Sequence, residues 1–98
     1  MGDDLEIHPD ALGEIAAAVA WYRARSQSAA SNFVEEIDNA ISLIAHSPNR
    51  WPTGNYGTRR FILHRFPFAL VYRRIGARVQ ILAAAHAHRR PGYWRDRL

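Results

Sequence analysis

Three consecutive segments in the second half of the chain read as strands, and the breaks between them are too short for anything but hairpins. Arg59-Arg60-Phe61-Ile62-Leu63-His64-Arg65, Phe68-Ala69-Leu70-Val71-Tyr72-Arg73-Arg74-Ile75 and Arg78-Val79-Gln80-Ile81-Leu82-Ala83-Ala84-Ala85-His86 are rich in β-branched, aromatic or aliphatic residues. Only Phe66-Pro67 and Gly76-Ala77 separate them, and connections that short join antiparallel neighbours, because a parallel pair needs a long crossover. An antiparallel meander follows. With a period of two, the last strand places Val79, Ile81, Ala83, Ala85 and Ala87 on one face and Arg78, Gln80, Leu82, Ala84, His86 and His88 on the other. One face is expected to pack inward while the other displays Arg and His.

Such a sheet needs a cover, and the first half supplies it. Leu5-Glu6-Ile7 alternates and stops at His8-Pro9, as an edge strand would. Pro9 suits the first position of a helix, where its missing N–H costs nothing. From Asp10 to Arg25, Leu12, Ile15, Ala16, Val19 and Tyr22 recur at helical spacing. Asp10 and Glu14 lie near the positive end of that helix and Arg23 and Arg25 near its negative end. Ser26-Gln27-Ser28 is a polar break in which Ser28 can cap a second helix running to His46, with Phe33, Ile37, Ala40, Ile41 and Ile44 as its stripe. Ser47-Pro48 ends it. The short link predicts an antiparallel helical hairpin, and docking it on the sheet buries large apolar side chains at roughly 1.5–3 kcal/mol each. Arg50 to Thr58 returns the chain as a loop, and Pro91-Gly92 breaks the last strand before a tail, Tyr93 to Leu98, that is a helical turn or an extended arm. The expectation is a single α+β domain over residues 1–98.

Charge is unevenly divided. Through Asn49 there are two Arg against eight carboxylates; from Arg50 onward there are eleven Arg against Asp96 alone. The split predicts an acidic helical side and a basic sheet side suited to phosphates or an acidic partner; solvated surface charge is the plainer alternative. Every basic residue is Arg, which with sixteen Ala fits a compositional bias as well as any chemical need. Cysteine is absent, which excludes a disulfide framework and thiol chemistry and fits a reducing compartment. The opening Met1-Gly2-Asp3-Asp4 is acidic, resembles no signal peptide, and no apolar run approaches a membrane span of roughly 18 residues. A cytoplasmic protein with no membrane partner is expected.

Few residue patterns point to chemistry. His86 and His88, two apart on a strand, bring two imidazoles together, but no third ligand stands at metal-ligand spacing, so neither a metal nor another cofactor is expected. No Ser lies in a Gly-x-Ser-x-Gly turn, carboxylates are not paired in the sheet half, and no Gly-rich phosphate loop is present. RNA cleavage asks only for proton carriers, which His86, His88 and Tyr93 can supply, and for cations such as Arg59, Arg60, Arg73, Arg89 and Arg90. Composition of this kind is unspecific. Trp51, Tyr93 and Trp94 stand among arginines and can stack on bases, or the tail can pack them on the domain edge. Trp21 and Tyr22 read as core or helix-groove residues.

The strings Ala20-Trp21-Tyr22, Ser47-Pro48-Asn49-Arg50-Trp51-Pro52, Arg59-Arg60-Phe61-Ile62-Leu63, Phe66 to Arg73 and Ile81 to Trp94, taken in this order, resemble the RelE/ParE superfamily of bacterial toxins. The resemblance spans about residues 5 to 97. It implies a toxin encoded beside an antitoxin that wraps and neutralises it in a hetero-oligomer, with Trp21, Tyr22, Phe33, Ile37 and Ile41 as apolar anchors for that partner. Relatives divide between ribosome-dependent mRNA endonucleases and poisons of DNA gyrase. Endonuclease members typically place an arginine just before the Leu-Val-Tyr of the middle strand; here that position is Ala69. They also carry alternating basic residues on the first meander strand, where Arg60 matches and Ile62 does not. His86 looks more like the histidine that ParE-type members carry at the end of the last strand. The resemblance therefore favours a gyrase-directed toxin without chemistry of its own, whose target-binding residues are Arg59, Arg60, Arg73, His86, Arg89, Arg90, Tyr93 and Trp94. An mRNA endonuclease would use His86, His88, Tyr93, Arg73 and Arg89. A non-toxic relative that keeps only the antitoxin surface is the third reading.

Overall fold

A polar cap starts each helix. In the computed structural model, which describes residues 4–98, the strand Leu5–Ile7 (β1) leads into a helix over Pro9–Arg23 (α1). His8 Nδ1 accepts the Asp10 N–H at 3.0 Å, meeting one of the donors a helix start leaves free. The second helix spans Gln27–His46 (α2). Its cap is Ser26 rather than Ser28: Ser26 Oγ accepts the Ala29 N–H at 3.2 Å, and Ser28 Oγ lies 3.1 Å from Ser26 Oγ. The first two residues and Asp3 of the acidic N-terminus lie outside the described residues.

The stripe expected on α2 is the one observed, with Phe33, Ile37, Ala40 and Ile44 buried and Ile41 partly so. That on α1 is rotated. Ala11 and Ala18 are the buried residues, flanked by partly buried Ile15, Val19 and Tyr22, whereas Leu12 is 51% exposed and Ala16 faces solvent. Two methyl-sized side chains on the inward face let α1 lie close on the sheet, a choice that hydrophobicity alone would not select.

The sheet has the order β1-β4-β3-β2, where β2 is Arg59–Ile62, β3 is Phe68–Ile75 and β4 is Arg78–His86. The meander is antiparallel as expected, and β1 joins β4 in parallel, Leu5 beside Val79 and Ile7 beside Ile81. Gly76, at φ 61°, opens the two-residue β3–β4 turn, a position that a side chain rarely tolerates. The first hairpin is looser than the sequence indicates. β2 stops at Ile62 because Glu36 of α2 takes the backbone N–H groups of His64 and Arg65 and pairs with the Arg65 guanidinium at 3.0 Å, pulling that stretch away from β3.

A bulge reverses the expected faces of β4. Val71 stands opposite Ala83 but Tyr72 opposite Ile81, so Leu82 is the extra residue. Val79, Ile81 and Ala84 therefore face the helices with Leu70 and Tyr72, while Leu82 and Ala83 both face the other way with Val71. The grouping of Ala83 with Ile81, and of Ala84 with Leu82, is thus corrected beyond Ile81. Between helices and sheet, Phe33 packs its ring against Tyr22, Phe66 and Phe68 at 5.1–5.3 Å, and fully buried Tyr72 donates its hydroxyl to the Pro48 carbonyl at 2.7 Å. At roughly 1.5–3 kcal/mol for each large buried side chain, this layer holds the helical hairpin down.

The outer face carries a second, smaller core. Val71, Leu82, Ala83 and Trp94 are buried together, with Ala85 and Tyr93 against them. Of the two expectations for the tail, the helical turn is the one observed: it folds back over the sheet and ends in a short 3-10 turn, Arg95–Arg97.

Candidate functional site

The C-terminal end of β4 is where helix, sheet and tail meet, and one carboxylate organises the junction. β1 ends beside Ile81, leaving the next residues of β4 without a strand on that edge, although β3 still pairs with them on the other. Glu14 of α1 accepts the Ala84 N–H at 3.0 Å, and Arg97 of the tail donates to the Leu82 carbonyl at 2.9 Å. Glu14 then takes both terminal nitrogens of the Arg97 guanidinium, Nη1 and Nη2, at 2.9 and 2.8 Å and the Tyr93 hydroxyl at 2.7 Å. Burial pushes the Glu14 carboxyl up, but these bonds and the Arg97 charge outweigh it and hold the group below its usual value. The same arrangement acts in reverse on Tyr93: burial first, then the Glu14 carboxylate, drives its hydroxyl well above the ordinary tyrosine range.

Two concavities flank the turn after β4. One is an apolar groove of about 450 Å³ between α1 and the end of the sheet, lined by Ala17, Ala18, Trp21, Tyr22 and Phe68 among others. The second, of about 250 Å³, opens on the outer face and is bordered by Arg60, Arg89 and Arg90 with Thr58. His86, Arg89 and Tyr93 belong to both walls. His86 Nδ1 accepts the His88 N–H at 3.0 Å, so a neutral imidazole carries its proton on Nε2. Its ring meets Phe68 and His88 edge to face at 5.0 and 5.1 Å. Among the described residues no three His, Cys, Asp or Glu side chains gather as a metal site.

Eight of the thirteen arginines fall into three groups. Arg65, Arg78 and Arg97 form ion pairs with Glu36, Glu6 and Glu14. Arg59 is turned to the helix side and donates to the Trp51 and Asn49 carbonyls, and Arg73 donates through Nε to Gln80 at 3.0 Å, within a ladder that continues to Glu6. Those two, expected to grip a target, are instead engaged in holding the loop and the outer face together. Arg60, Arg89 and Arg90 make no ion pair among the described residues, and Arg89 lies 3.8 Å over the Tyr93 ring.

The remaining expectations fall unevenly. Trp94 is only 6% exposed and is a core residue of the tail, not a stacking platform. Tyr93 keeps a partly exposed ring, but its hydroxyl is bound to Glu14. Phe33 and Ile37 are sealed in the main core and Ile41 is packed against it, so Trp21, 54% exposed, and Tyr22 are the helix anchors that a partner can reach. Ala69 is buried between Ile62 and Ala85, making an apolar strip where a cation would stand in an endonuclease. Glu14 and Arg97 were not among the candidates. The signal for Glu14 was its place between Ala11 and Ala18 on the inward face of α1, where a carboxylate needs a partner.

Comparison with known proteins bears on this architecture. A search of curated proteins finds no match. Among solved structures, one described as the chromosomal ParDE TA system from P. aeruginosa is similar, with 22% identity over 87% of this chain and 96% of that chain and a TM-score of 0.76. At that identity the likeness concerns the fold: two helices on a mixed four-stranded sheet. The family described as ParE toxin of type II toxin-antitoxin system, parDE, matches residues 5–91, which takes in every strand and both helices, and the chain therefore belongs to the ParE toxin family.

Proposed function

We propose that this ParE-family toxin acts on DNA gyrase without chemistry of its own and is neutralised by a cognate antitoxin in a hetero-oligomer. The observation that carries the reading is the division of labour around β4. Arg60, Arg89 and Arg90 border an outer cleft with no carboxylate among its lining residues, whereas beside them the Tyr93 hydroxyl is bonded to Glu14 and His86 spends Nδ1 on the His88 N–H. A concave site with several guanidinium groups favours phosphates or carboxylates, and low-dielectric walls strengthen that preference. Such a surface suits binding to an enzyme already holding cleaved DNA, and the cytoplasm, where gyrase works, is the compartment this reading requires.

The mRNA endonuclease reading has less behind it. Arg73 is bonded to Gln80, the position at Ala69 is apolar, and of the two imidazoles at the end of β4 only His88 is exposed. A non-toxic antitoxin-binding relative would show normal growth when the chain is induced alone. The deciding assay adds purified protein to gyrase and supercoiled or relaxed plasmid. Accumulating cleaved DNA and loss of supercoiling are expected; unchanged gyrase activity, together with new 5′ ends in mRNA from translating ribosomes, would transfer the case to the endonuclease.

A further inference from the structure

We propose that Tyr56 and Arg95 form a stacking platform for an unpaired base of DNA at the rim of the outer cleft. The proposal rests on the gyrase–DNA reading above and adds to it two residues and a chemistry: the cleft arginines take phosphates, and Tyr56 takes a base. The turn Asn55 to Thr58 is closed by the Thr58 N–H on the Asn55 carbonyl at 3.1 Å, and its two central residues are left-handed, Tyr56 at φ 60° and Gly57 at φ 71°. A turn of that kind favours Asn or Gly at the first central position, because a bulky side chain is strained there. Tyr56 is the one non-glycine residue at positive φ among the described residues. Burial does not repay the strain, since the residue is 53% exposed. A strained backbone kept under an exposed aromatic ring points to a use for that ring.

The surroundings hold the ring in place. Buried Thr58 pins the turn through its hydroxyl, which donates to the Asn55 carbonyl at 2.7 Å, and through its own carbonyl, which accepts the Gly54 N–H at 2.6 Å. Arg95 Nη1 donates to the Tyr56 hydroxyl at 3.0 Å, and Trp94 meets the ring edge to face at 6.0 Å. The ring lies so close to Gly92 that a methyl group there would stand 3.9 Å from Tyr56 Cε2. Asn55, Thr58, Gly92 and Trp94 line the cleft, which puts Tyr56 at its edge. The aromatics that the sequence offered for stacking are committed elsewhere: Trp51 packs on Phe61 at 4.8 Å, Trp94 is buried, and Tyr93 carries the Arg89 guanidinium at 3.8 Å. Arg95 makes no ion pair among the described residues, and Asp96 is the one carboxylate from Arg50 onward. An acidic peptide would satisfy the arginines alone, whereas a single strand brings phosphates for them and a flat base for the tyrosine.

The test measures binding of the full-length chain to a fluorescein-labelled oligodeoxythymidylate by fluorescence anisotropy at fixed ionic strength, beside an abasic oligomer of equal length and the gyrase assay. Tyr56→Gly removes the ring and suits the left-handed backbone, so the fold is kept, which a thermal melt checks; Tyr56→Phe keeps the ring. Tyr56→Gly is expected to weaken binding of the thymidylate roughly fivefold or more, the least that loss of one stacked base costs. Tyr56→Phe is expected to bind as wild type does, and the abasic oligomer to bind wild type and Tyr56→Gly alike. Equal affinity of wild type and Tyr56→Gly for the thymidylate, or no binding by wild type, overturns the platform; loss of gyrase inhibition by Tyr56→Gly in that case makes Tyr56 a protein contact instead. Tyr56-dependent binding of the thymidylate by a chain that leaves gyrase unchanged supports the platform and overturns the gyrase reading alone.

Discussion

Replacing Glu14 by Gln should loosen the tail and lower the stability of the whole domain. The Glu14 side chain is 17% exposed and that of Arg97 is 14%, so their ion pair at 2.8 Å is only lightly screened by water. Gln keeps one oxygen for the Ala84 N–H but presents an amide N–H₂ where Arg97 or Tyr93 needs an acceptor, and it removes the charge. Charged hydrogen bonds contribute about 1.5–3 kcal/mol each, and stranding one partner of a buried pair costs about 3–5 kcal/mol. Since Arg97 sits near the chain end and can swing to solvent, the cost falls between those two figures, at about 2–4 kcal/mol. A domain of this size loses about 5 °C of Tm per kcal/mol, which places the expected drop near 10–20 °C by circular dichroism. The pH dependence supplies a second check. The folded-state pKa of Glu14 lies below its unfolded value of 4.5, so the carboxylate stabilises fully above that pH and its contribution is lost as pH falls through the folded value. The gap between wild type and Glu14→Gln should therefore narrow on acidification. A midpoint within about 3 °C of wild type at neutral pH, or a gap that stays constant into the acid range, would refute the assignment of Glu14 as the junction that holds the tail.

Three further outcomes follow from the same structure. Trp94→Ala should cost about 3 kcal/mol in urea unfolding, near the low end for a buried aromatic because the outer core is small. If the proposed gyrase target is right, Arg60→Gln with Arg90→Gln should reduce inhibition of that enzyme at least several-fold with little change in Tm, whereas Arg59→Gln, which releases the Trp51 and Asn49 carbonyls, should lower stability instead; supercoiling titrations beside thermal melts separate the two. Glu36→Gln should cost about 1–2 kcal/mol, because burial is outweighed by bonds from His64 and Arg65 that hold its carboxyl below the usual range; that stabilisation is present above the unfolded pKa and disappears as pH falls, which equilibrium unfolding at successive pH values will detect.

Much of the architecture could be read locally. The edge strand at Leu5, the helical hairpin, the meander and the breaks at Pro48, Gly76 and Pro91 depend on periodicity and on backbone restrictions that neighbouring residues impose on one another. The family resemblance likewise resides in short strings such as Phe66 to Arg73. Other decisions need residues that are distant in the chain. Whether Leu82 or Ala83 begins the change of face depends on where β3 slips against β4, and nothing within β4 marks the bulge. Arg59, Arg60 and Arg73 look alike as letters, but one turns under the helices, one borders the cleft and one joins a ladder to Glu6. Glu14, Ala84, Tyr93 and Arg97 meet across some 70 to 83 positions of sequence. A local pattern reports which face of an element is apolar; which cation remains free is settled only when folding brings, or fails to bring, an acceptor within hydrogen-bonding reach.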